Sequence, residues 1–350
     1  MDDTLLEAML ADVPKAPELF KPTQFWAQGM MPILRDLKQQ GYHNFRRQRG
    51  ALDMFVPIYG SVDYYLDRAA MDGLIDDFGK KMPELAELWR DRINGHEQAR
   101  RDYELVIAAD LDRAPAFDRM FESVVGEPVE QFVFDGRTYS CAMLRYLKCL
   151  AFLKKKVDTE PIRNVLEIGG GYGSLGEIFM RSPSRDYFYV NVDIPPTAAV
   201  STYYLQAAFG RSKVANYLQT RDLAPIRVEQ LRANGFRAAV ICPWQLPALV
   251  GDFELFVNAT SFQEMEPEVV KNYATEVTRL TSHTILLKNS RYGKVTAETD
   301  TAVGVRKRTT REHYLSYFNQ YAVKAIESAV FGQVYDNGFE SEVIIFERKP

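Results

Sequence analysis

The run NVLEIGGGYGSLGEIF, residues 164–179, decides the fold of this 350-residue chain. Its first five residues form the short apolar run of a buried strand, and four of the next five residues are glycine. From residue 174 onward the apolar spacing becomes that of a helix. A strand that enters a glycine-rich turn and continues into a helix brings backbone N–H groups to the carboxyl end of a sheet. α/β proteins bind their ligands at that edge.

The sequence that follows repeats the alternation of strands and helices. It predicts strands at 187–192, 238–242, 253–258 and 284–288, and helices at 174–180, 197–209 and 267–280. Near the end, the runs 325–335 and 341–346 flank Asp336-Asn337-Gly338, and an Asn-Gly pair is a strong hairpin signal. Strands that alternate with helices and end in a hairpin predict a Rossmann-like α/β sheet, mainly parallel, with an antiparallel edge.

The first 160 residues predict a different, mainly helical region. Apolar residues have helical spacing in 81–93 and 105–111, and 138–156 predicts a helix that ends in three lysines. The aromatic-rich stretch 51–69 is left unassigned. We expect residues 1–160 to cover a site on the sheet domain, residues 161–350, or to form a homodimer contact.

The composition excludes several classes of function. A net charge of −4 and a pI near 5.8 disfavour binding to nucleic acid or to anionic membranes. No run of 18 apolar residues occurs and the acidic N-terminus is unlike a signal peptide, so we expect a cytoplasmic protein without a membrane span. The cysteines and histidines are scattered, which disfavours a zinc site or a disulfide framework. Two basic clusters, at 46–49 and 306–311, fit either solvated loops or contacts with an anionic substrate.

Two acidic residues flank the glycine turn, formed by Gly169, Gly170, Gly171 and Gly173. Glu167 precedes the first glycine by two positions, and Asp193, followed by Ile194, ends the next strand. Because a carboxylate only accepts hydrogen bonds, Asp193 suits the two ribose hydroxyls of a nucleoside cofactor. Glu167 suits the cationic amino end of S-adenosylmethionine, and the sheet would then be the seven-stranded Rossmann-like sheet of methyltransferases.

The same turn leaves a second cofactor open. Residues 171–176 also match the G-x-G-x-x-G fingerprint of dinucleotide sites, which favours an NAD-linked oxidoreductase. S-adenosylmethionine is the better fit for three reasons. In an NAD site the Glu167 carboxylate would lie unfavourably close to the negatively charged pyrophosphate. A long helical segment also precedes the turn, and the chain ends in a hairpin. A third hypothesis is a non-catalytic binding protein that keeps the cofactor fold.

Three segments carry a resemblance to a known family. VLEIGGGYGSLGEIF, NVDIPPTAAVSTYYLQAAFG and FVNATSFQEMEPEVVKNY begin at residues 165, 191 and 256. With them the chain resembles the sugar O-methyltransferases of bacterial polysaccharide and natural-product clusters, over residues 135–350. The resemblance implies methyl transfer from S-adenosylmethionine to a sugar hydroxyl of a nucleotide sugar, a polysaccharide or a glycosylated natural product.

A sugar hydroxyl is a poor nucleophile, so the reaction needs a base that removes its proton. Glu264, after the fourth strand, can act directly or can hold a divalent cation such as Mg²⁺ that acidifies the hydroxyl. Glu264 equally suits the first turn of the next helix. His313 is the second candidate, because the pKa of histidine lies near neutrality, but it also fits a structural role. No metal ligand is assigned beyond the option at Glu264.

Further candidates follow from positions at the carboxyl ends of the strands. Asn258 is expected to contact the cofactor, and Trp244 and Gln245 follow the third strand, where an aromatic face and an amide suit adenine. Trp244 fits core packing equally well. The remaining candidates are expected to contact the substrate: Gln263, Asn289 and Arg291.

Overall fold

The computed structural model describes residues 4–60, 68–299, 301–334 and 339–350 of the chain. The turn predicted at Asp336-Asn337-Gly338 and part of the unassigned stretch 51–69 lie outside these residues. No helix of the described residues is both long enough and apolar enough to cross a membrane. The helices are α1 Thr4–Asp12, α2 Gln24–Gln40, α3 Arg49–Met54, α4 Arg68–Gly79, α5 Pro83–Ile93, α6 His96–Ala109, α7 Cys141–Lys156, α8 Ser174–Arg181, α9 Thr197–Phe209, α10 Tyr217–Thr220, α11 Val228–Ala233, α12 Pro267–Leu280 and α13 Arg311–Tyr317.

The strands form one large sheet and two small ones. In chain order they are β1 Phe132–Phe134, β2 Arg137–Tyr139, β3 Asn164–Ile168, β4 Phe188–Val192, β5 Val214–Ala215, β6 Ile226–Arg227, β7 Ala238–Ile241, β8 Leu249–Val250, β9 Phe253–Ala259, β10 Thr281–Ser290, β11 Tyr321–Glu327, β12 Gln333–Val334 and β13 Glu340–Arg348. The small sheets pair β1 with β2 and β6 with β8.

The large sheet corrects the expected number of strands. It has nine strands rather than seven, in the order β11-β13-β10-β9-β3-β4-β7-β5, with β12 paired to β13. The two additions, β5 and β12, are two residues long each. Numbered among themselves, the seven longer strands lie in the order 3-2-1-4-5-7-6. β13 runs antiparallel to both β10 and β11, whereas β3, β4, β7, β9 and β10 are parallel.

The sheet is buried on both faces, which explains its continuous apolar strands. Successive residues of β3 point to opposite sides: Val165 packs in the core cluster that holds α7, α8 and α9, and Leu166 in the cluster that holds α11 and α12. Both side chains are fully buried. Helix α7, predicted as the end of the N-terminal region, packs on α8, β10 and β13 and so lies against the sheet.

The predicted final hairpin is more broken than the sequence indicated. The run 325–335 was expected to be one strand, but β11 ends at Glu327 and β12 begins only at Gln333. The Glu327 carboxylate accepts hydrogen bonds from the backbone N–H groups of Val330 and Phe331, at 2.8 and 2.7 Å. A side chain that satisfies these donors stabilises a turn in place of a continuous strand. Both pieces still pair with β13.

Candidate functional site

A cavity of about 340 Å³ opens at the carboxyl edge of the parallel strands. Its walls come from the turn after β3, the loops after β4 and β9, helix α7 and the end of β10. Residues 21–23 and Trp26, with residues 52–57, cover it from the N-terminal region. Its volume and its mixed apolar and polar walls are those of a small-molecule site.

The glycine turn forms one wall of the cavity. Gly169, with φ +71°, and Gly171, with φ +59°, adopt a left-handed backbone that other residues rarely take. A Cβ on Gly169 would lie 2.2 Å from Ser261 Oγ, so a larger residue would collide with the loop after β9. Gly170 also lines the cavity, whereas Gly173 is the residue that precedes helix α8. The backbone is therefore open to close approach by a ligand.

Asp193 lies at the end of β4, where the sequence placed a cofactor acid. Its Oδ2 accepts a hydrogen bond from the N–H of Gly171 at 2.9 Å, and its Oδ1 accepts one from Ile194 at 2.8 Å. Both Asp193 and Ile194 line the cavity. Burial raises the pKa of Asp193 well above its ordinary value, and the two backbone N–H groups oppose this rise. Each carboxylate oxygen keeps a lone pair for a ligand hydroxyl.

Glu167 lies behind the glycine turn and does not line the cavity itself. Its carboxylate accepts a hydrogen bond of 2.7 Å from the Tyr146 hydroxyl and another from Tyr189. Burial raises the pKa of Glu167 to about 7, although the two phenols lower it. Tyr146 does line the cavity, so Glu167 contacts the cavity only indirectly, through its hydrogen bond with the Tyr146 hydroxyl.

The loop after β9 is held by side chains predicted to contact ligands. Asn258 Nδ2 donates to the Ile168 carbonyl at 2.9 Å, and Asn289 Nδ2 donates to Asn258 Oδ1 at 2.9 Å. Neither asparagine lines the cavity, so both support the loop instead. Gln263 does line it, although its amide oxygen accepts from the N–H of Ser290.

Glu264 lines the cavity and is buried, as expected of a catalytic candidate, but both carboxylate oxygens have partners. Oε1 pairs with Lys294 Nζ at 3.2 Å, and Oε2 accepts a hydrogen bond from Trp26 Nε1 at 3.2 Å. Burial raises the pKa of Glu264 and Lys294 lowers it. Within the described part of the chain, no three His, Cys, Asp or Glu side chains are grouped to hold a metal ion. A carboxylate paired with a lysine is poorly suited to a metal.

Four further predicted site residues, besides Glu167, Gly173, Asn258 and Asn289, do not line the cavity. His313 Nδ1 accepts from the N–H of Thr310 at 3.1 Å and so stabilises the start of α13. Arg291 pairs with Glu340 at 3.1 Å. The other two hold the loop after β7: Gln245 Oε1 accepts from the N–H of Cys242 at 2.8 Å, and Trp244 Nε1 donates to Tyr217 at 3.1 Å.

The structure adds residues that the sequence analysis missed, chiefly Lys288. This lysine near the end of β10 is 5% exposed and lines the cavity. Leu286, two positions earlier, belongs to the core cluster on the α7 side of the sheet, so Lys288 points the same way. The available signal was a lysine that ends the apolar run of the strand predicted at 284–288. Four α7 residues also line the cavity: Ala142, Arg145, Tyr146 and Cys149.

No family model matches the sequence, and no curated protein matches it. Among solved structures, the chain is similar to mitomycin 7-O-methyltransferase MmcR, with 9% identity over 100% of this chain and 74% of that one, and a TM-score of 0.37. It is similar to the pyocyanin biosynthetic protein PhzM, with 10% identity over 93% of this chain and 70% of that one, and a TM-score of 0.37. The chain is also similar to magnesium protoporphyrin IX methyltransferase from Synechocystis PCC 6803, with bound SAM. The identity is 10% over 53% of this chain and 69% of that one, and the TM-score is 0.33. Structural similarities with TM-scores this low assign neither a cofactor nor a substrate to the chain.

Proposed function

We propose that this chain is an S-adenosylmethionine-dependent methyltransferase that acts on a hydroxyl group. The observation that carries the proposal is the convergence of the glycine turn after β3 and Asp193 after β4 on one cavity. A dinucleotide-binding sheet is parallel in the order 3-2-1-4-5-6. Here the antiparallel strand β13 lies between β10 and β11, which favours the methyl donor over NAD.

The residues around the cavity fit this cofactor. The turn at residues 169–171 allows close approach, and the Asp193 carboxylate offers acceptors for two ribose hydroxyls. Pro243, Val269 and Tyr273 add apolar surface for adenine to the same cavity. Tyr146, hydrogen-bonded to Glu167, suits the amino acid end. When bound, the cofactor supplies a methyl group on a positively charged sulfur.

We further propose a sugar hydroxyl as the acceptor, carried by a nucleotide sugar, a polysaccharide or a glycosylated natural product. The part of the cavity near α7 supports this assignment, because Arg145, Tyr146 and Lys288 provide polar groups there. Residues of the N-terminal region, including Trp26 and Phe55, cover the cavity. Such a cover would exclude water and hold the hydroxyl in line with the methyl group, and positioning of this kind supplies much of an enzyme's rate.

Two measurements test the proposal. Calorimetric titration should show micromolar binding of S-adenosylhomocysteine and no heat with NAD⁺. Transfer of a radiolabelled methyl group should then occur to at least one member of a panel of nucleotide sugars and glycosylated compounds, with equal rates with and without EDTA.

Three results would contradict this assignment. Binding of NAD⁺ alone would indicate an oxidoreductase. Binding of S-adenosylhomocysteine without transfer to any acceptor would indicate a non-catalytic binding protein. Loss of transfer in EDTA would reinstate a metal ion.

A further inference from the structure

Lys288 occupies an unusual place for a lysine. It lies on β10 between Ala259 of β9 and Val343 of β13, neither of which can ionise, and its side chain reaches the cavity. Only 5% of the residue is exposed. None of the described residues accepts a hydrogen bond from its amine or pairs with it. Buried lysines are rare unless they are paired, so this one calls for a functional explanation.

The charged and titratable groups with the largest effects on Lys288 lie on α7, and burial outweighs them. Arg145 and Lys148 are positive, and Lys148 already pairs with Asp102 at 2.8 Å. Cys141 and Cys149 face Lys288 as well, but burial raises the pKa of both thiols and keeps them neutral. Burial is the largest influence and lowers the pKa of Lys288, Cys149 opposes it, Arg145 and Lys148 lower the pKa further, and Cys141 has the smallest, opposing effect.

We infer that Lys288 is the general base of the proposed methyl transfer: its amine, in the uncharged form, accepts the proton of the substrate hydroxyl. The inference rests on the proposed function and replaces the two bases predicted from sequence. Glu264 has both oxygens engaged by Trp26 and Lys294, and His313 lies outside the cavity. Lys288 combines access to the cavity with an amine that no described residue engages.

The step balances in atoms and charge. The hydroxyl oxygen forms a bond to the methyl carbon, and the carbon–sulfur bond breaks with its electron pair kept by sulfur. The hydroxyl proton passes to Lys288 Nζ. The positive charge therefore moves from sulfur to the ammonium group, and the ether and thioether products are neutral. The ammonium then releases its proton to solvent when the cover opens.

The ionisation of Lys288 can be measured without any acceptor. In the full-length protein labelled with ¹³C at lysine Cε, the Lys288 resonance is identified by its loss in Lys288→Met. Its titration midpoint should lie below that of N-acetyllysine in the same buffer. Lys148→Met should move the midpoint upward, because it removes a neighbouring cation and leaves Asp102 without its cationic partner. A midpoint at or above that of N-acetyllysine would overturn the inference.

Turnover distinguishes a base from a positive charge that binds the substrate. With an accepted sugar, Lys288→Met should lower kcat by about 10²–10⁴-fold, while S-adenosylhomocysteine binding stays within about twofold of the wild type. Lys288→Arg should be equally slow, because a guanidinium does not give up its proton. Activity retained in Lys288→Arg would assign the residue to substrate binding and overturn the base. Failure of the wild type to bind S-adenosylhomocysteine would instead overturn the proposed function, and the base with it.

Discussion

The Oδ2 atom of Asp193 accepts a hydrogen bond of 2.9 Å from the backbone N–H of Gly171, which ties the acid after β4 to the turn after β3. The second oxygen is held by Ile194. Because two backbone donors fix the carboxylate, little freedom is lost when a ligand hydroxyl binds to it. The two sequence features that suggested a nucleoside cofactor therefore form one preorganised unit.

Asp193→Asn tests this unit directly. The amide keeps only one acceptor oxygen, and its NH2 group must face the backbone N–H of either Gly171 or Ile194, donor against donor. We expect S-adenosylhomocysteine to bind about 10- to 100-fold more weakly, as for the loss of a hydrogen bond to a charged group. Calorimetric titration measures the change, with the exposed Asp222→Asn as control. Affinity within twofold of wild type would remove Asp193 from the cofactor site.

Glu167 predicts a dependence of stability on pH. Its pKa is raised to about 7 by burial, from 4.5. Between these values the folded state holds a proton that the unfolded state has released, so the free energy of unfolding falls as pH rises through this window. Glu167→Gln removes this loss, on the order of 2–3 kcal/mol. Urea unfolding at pH 5 and pH 8 should show the variant gaining on the wild type at pH 8. An equal difference at both values would contradict the raised pKa.

Local sequence patterns predicted the elements that build the cofactor wall. Helices α9 and α12 begin and end at the predicted residues. The glycine turn connects β3 to α8, as predicted. These features depend on residues close together in the chain. The strand count was wrong, because β5 and β12 are two residues each and leave almost no pattern.

Contacts between distant residues could not be predicted in the same way. The Glu264 carbonyl accepts from Thr23, which is 241 positions earlier in the chain. In the basic cluster at 46–49, Arg46 is buried and pairs with Glu122 at 2.7 Å, whereas Arg47 and Arg49 are exposed. The sequence of such an arginine run does not distinguish a buried side chain from an exposed one. Tertiary packing alone separates a buried ion pair from a solvated loop.

The contact between Trp26 and Glu264 predicts how the cover is held. Trp26→Phe keeps an aromatic ring but removes the donor to Glu264 Oε2. We expect amide hydrogen exchange in the first turn of α2 to become about tenfold faster, which corresponds to the loss of about 1.4 kcal/mol. The matched control is Trp244→Phe, which removes a donor to Tyr217 outside the cavity. Unchanged exchange in Trp26→Phe would mean that packing alone holds this segment.

His313 is expected to matter for stability and not for turnover. Its ring accepts a hydrogen bond from the backbone N–H of Thr310 at the start of α13. His313→Ala should therefore cost about 1 kcal/mol of stability, as for other helix caps, and leave kcat unchanged within about twofold. Chemical unfolding and steady-state kinetics on an accepted sugar measure the two effects. A large drop in kcat with normal stability would restore His313 as a catalytic residue.

Removal of the Lys288 amine should stabilise the folded protein. The unfolded chain carries a protonated amine at neutral pH, whereas burial and the cations of α7 lower the pKa of the folded one. The unfolded state then binds more protons, so stability rises with pH in this window and the lysine costs most at low pH. Lys288→Met should raise the free energy of unfolding by about 1–2 kcal/mol at pH 7, and by less as the pH rises toward the ordinary pKa of lysine.

Lys148→Met is the matched control on α7, because that lysine is also buried but has a partner. Its removal leaves Asp102 without its cation, and stability should fall. Opposite signs for the two variants in urea unfolding would show that Lys288 reduces stability in the fold while Lys148 supports it. A residue that lowers stability and is required for turnover is what a functional role predicts, since active sites commonly trade stability for activity. Equal losses in both variants would contradict an unpaired, uncharged amine at Lys288.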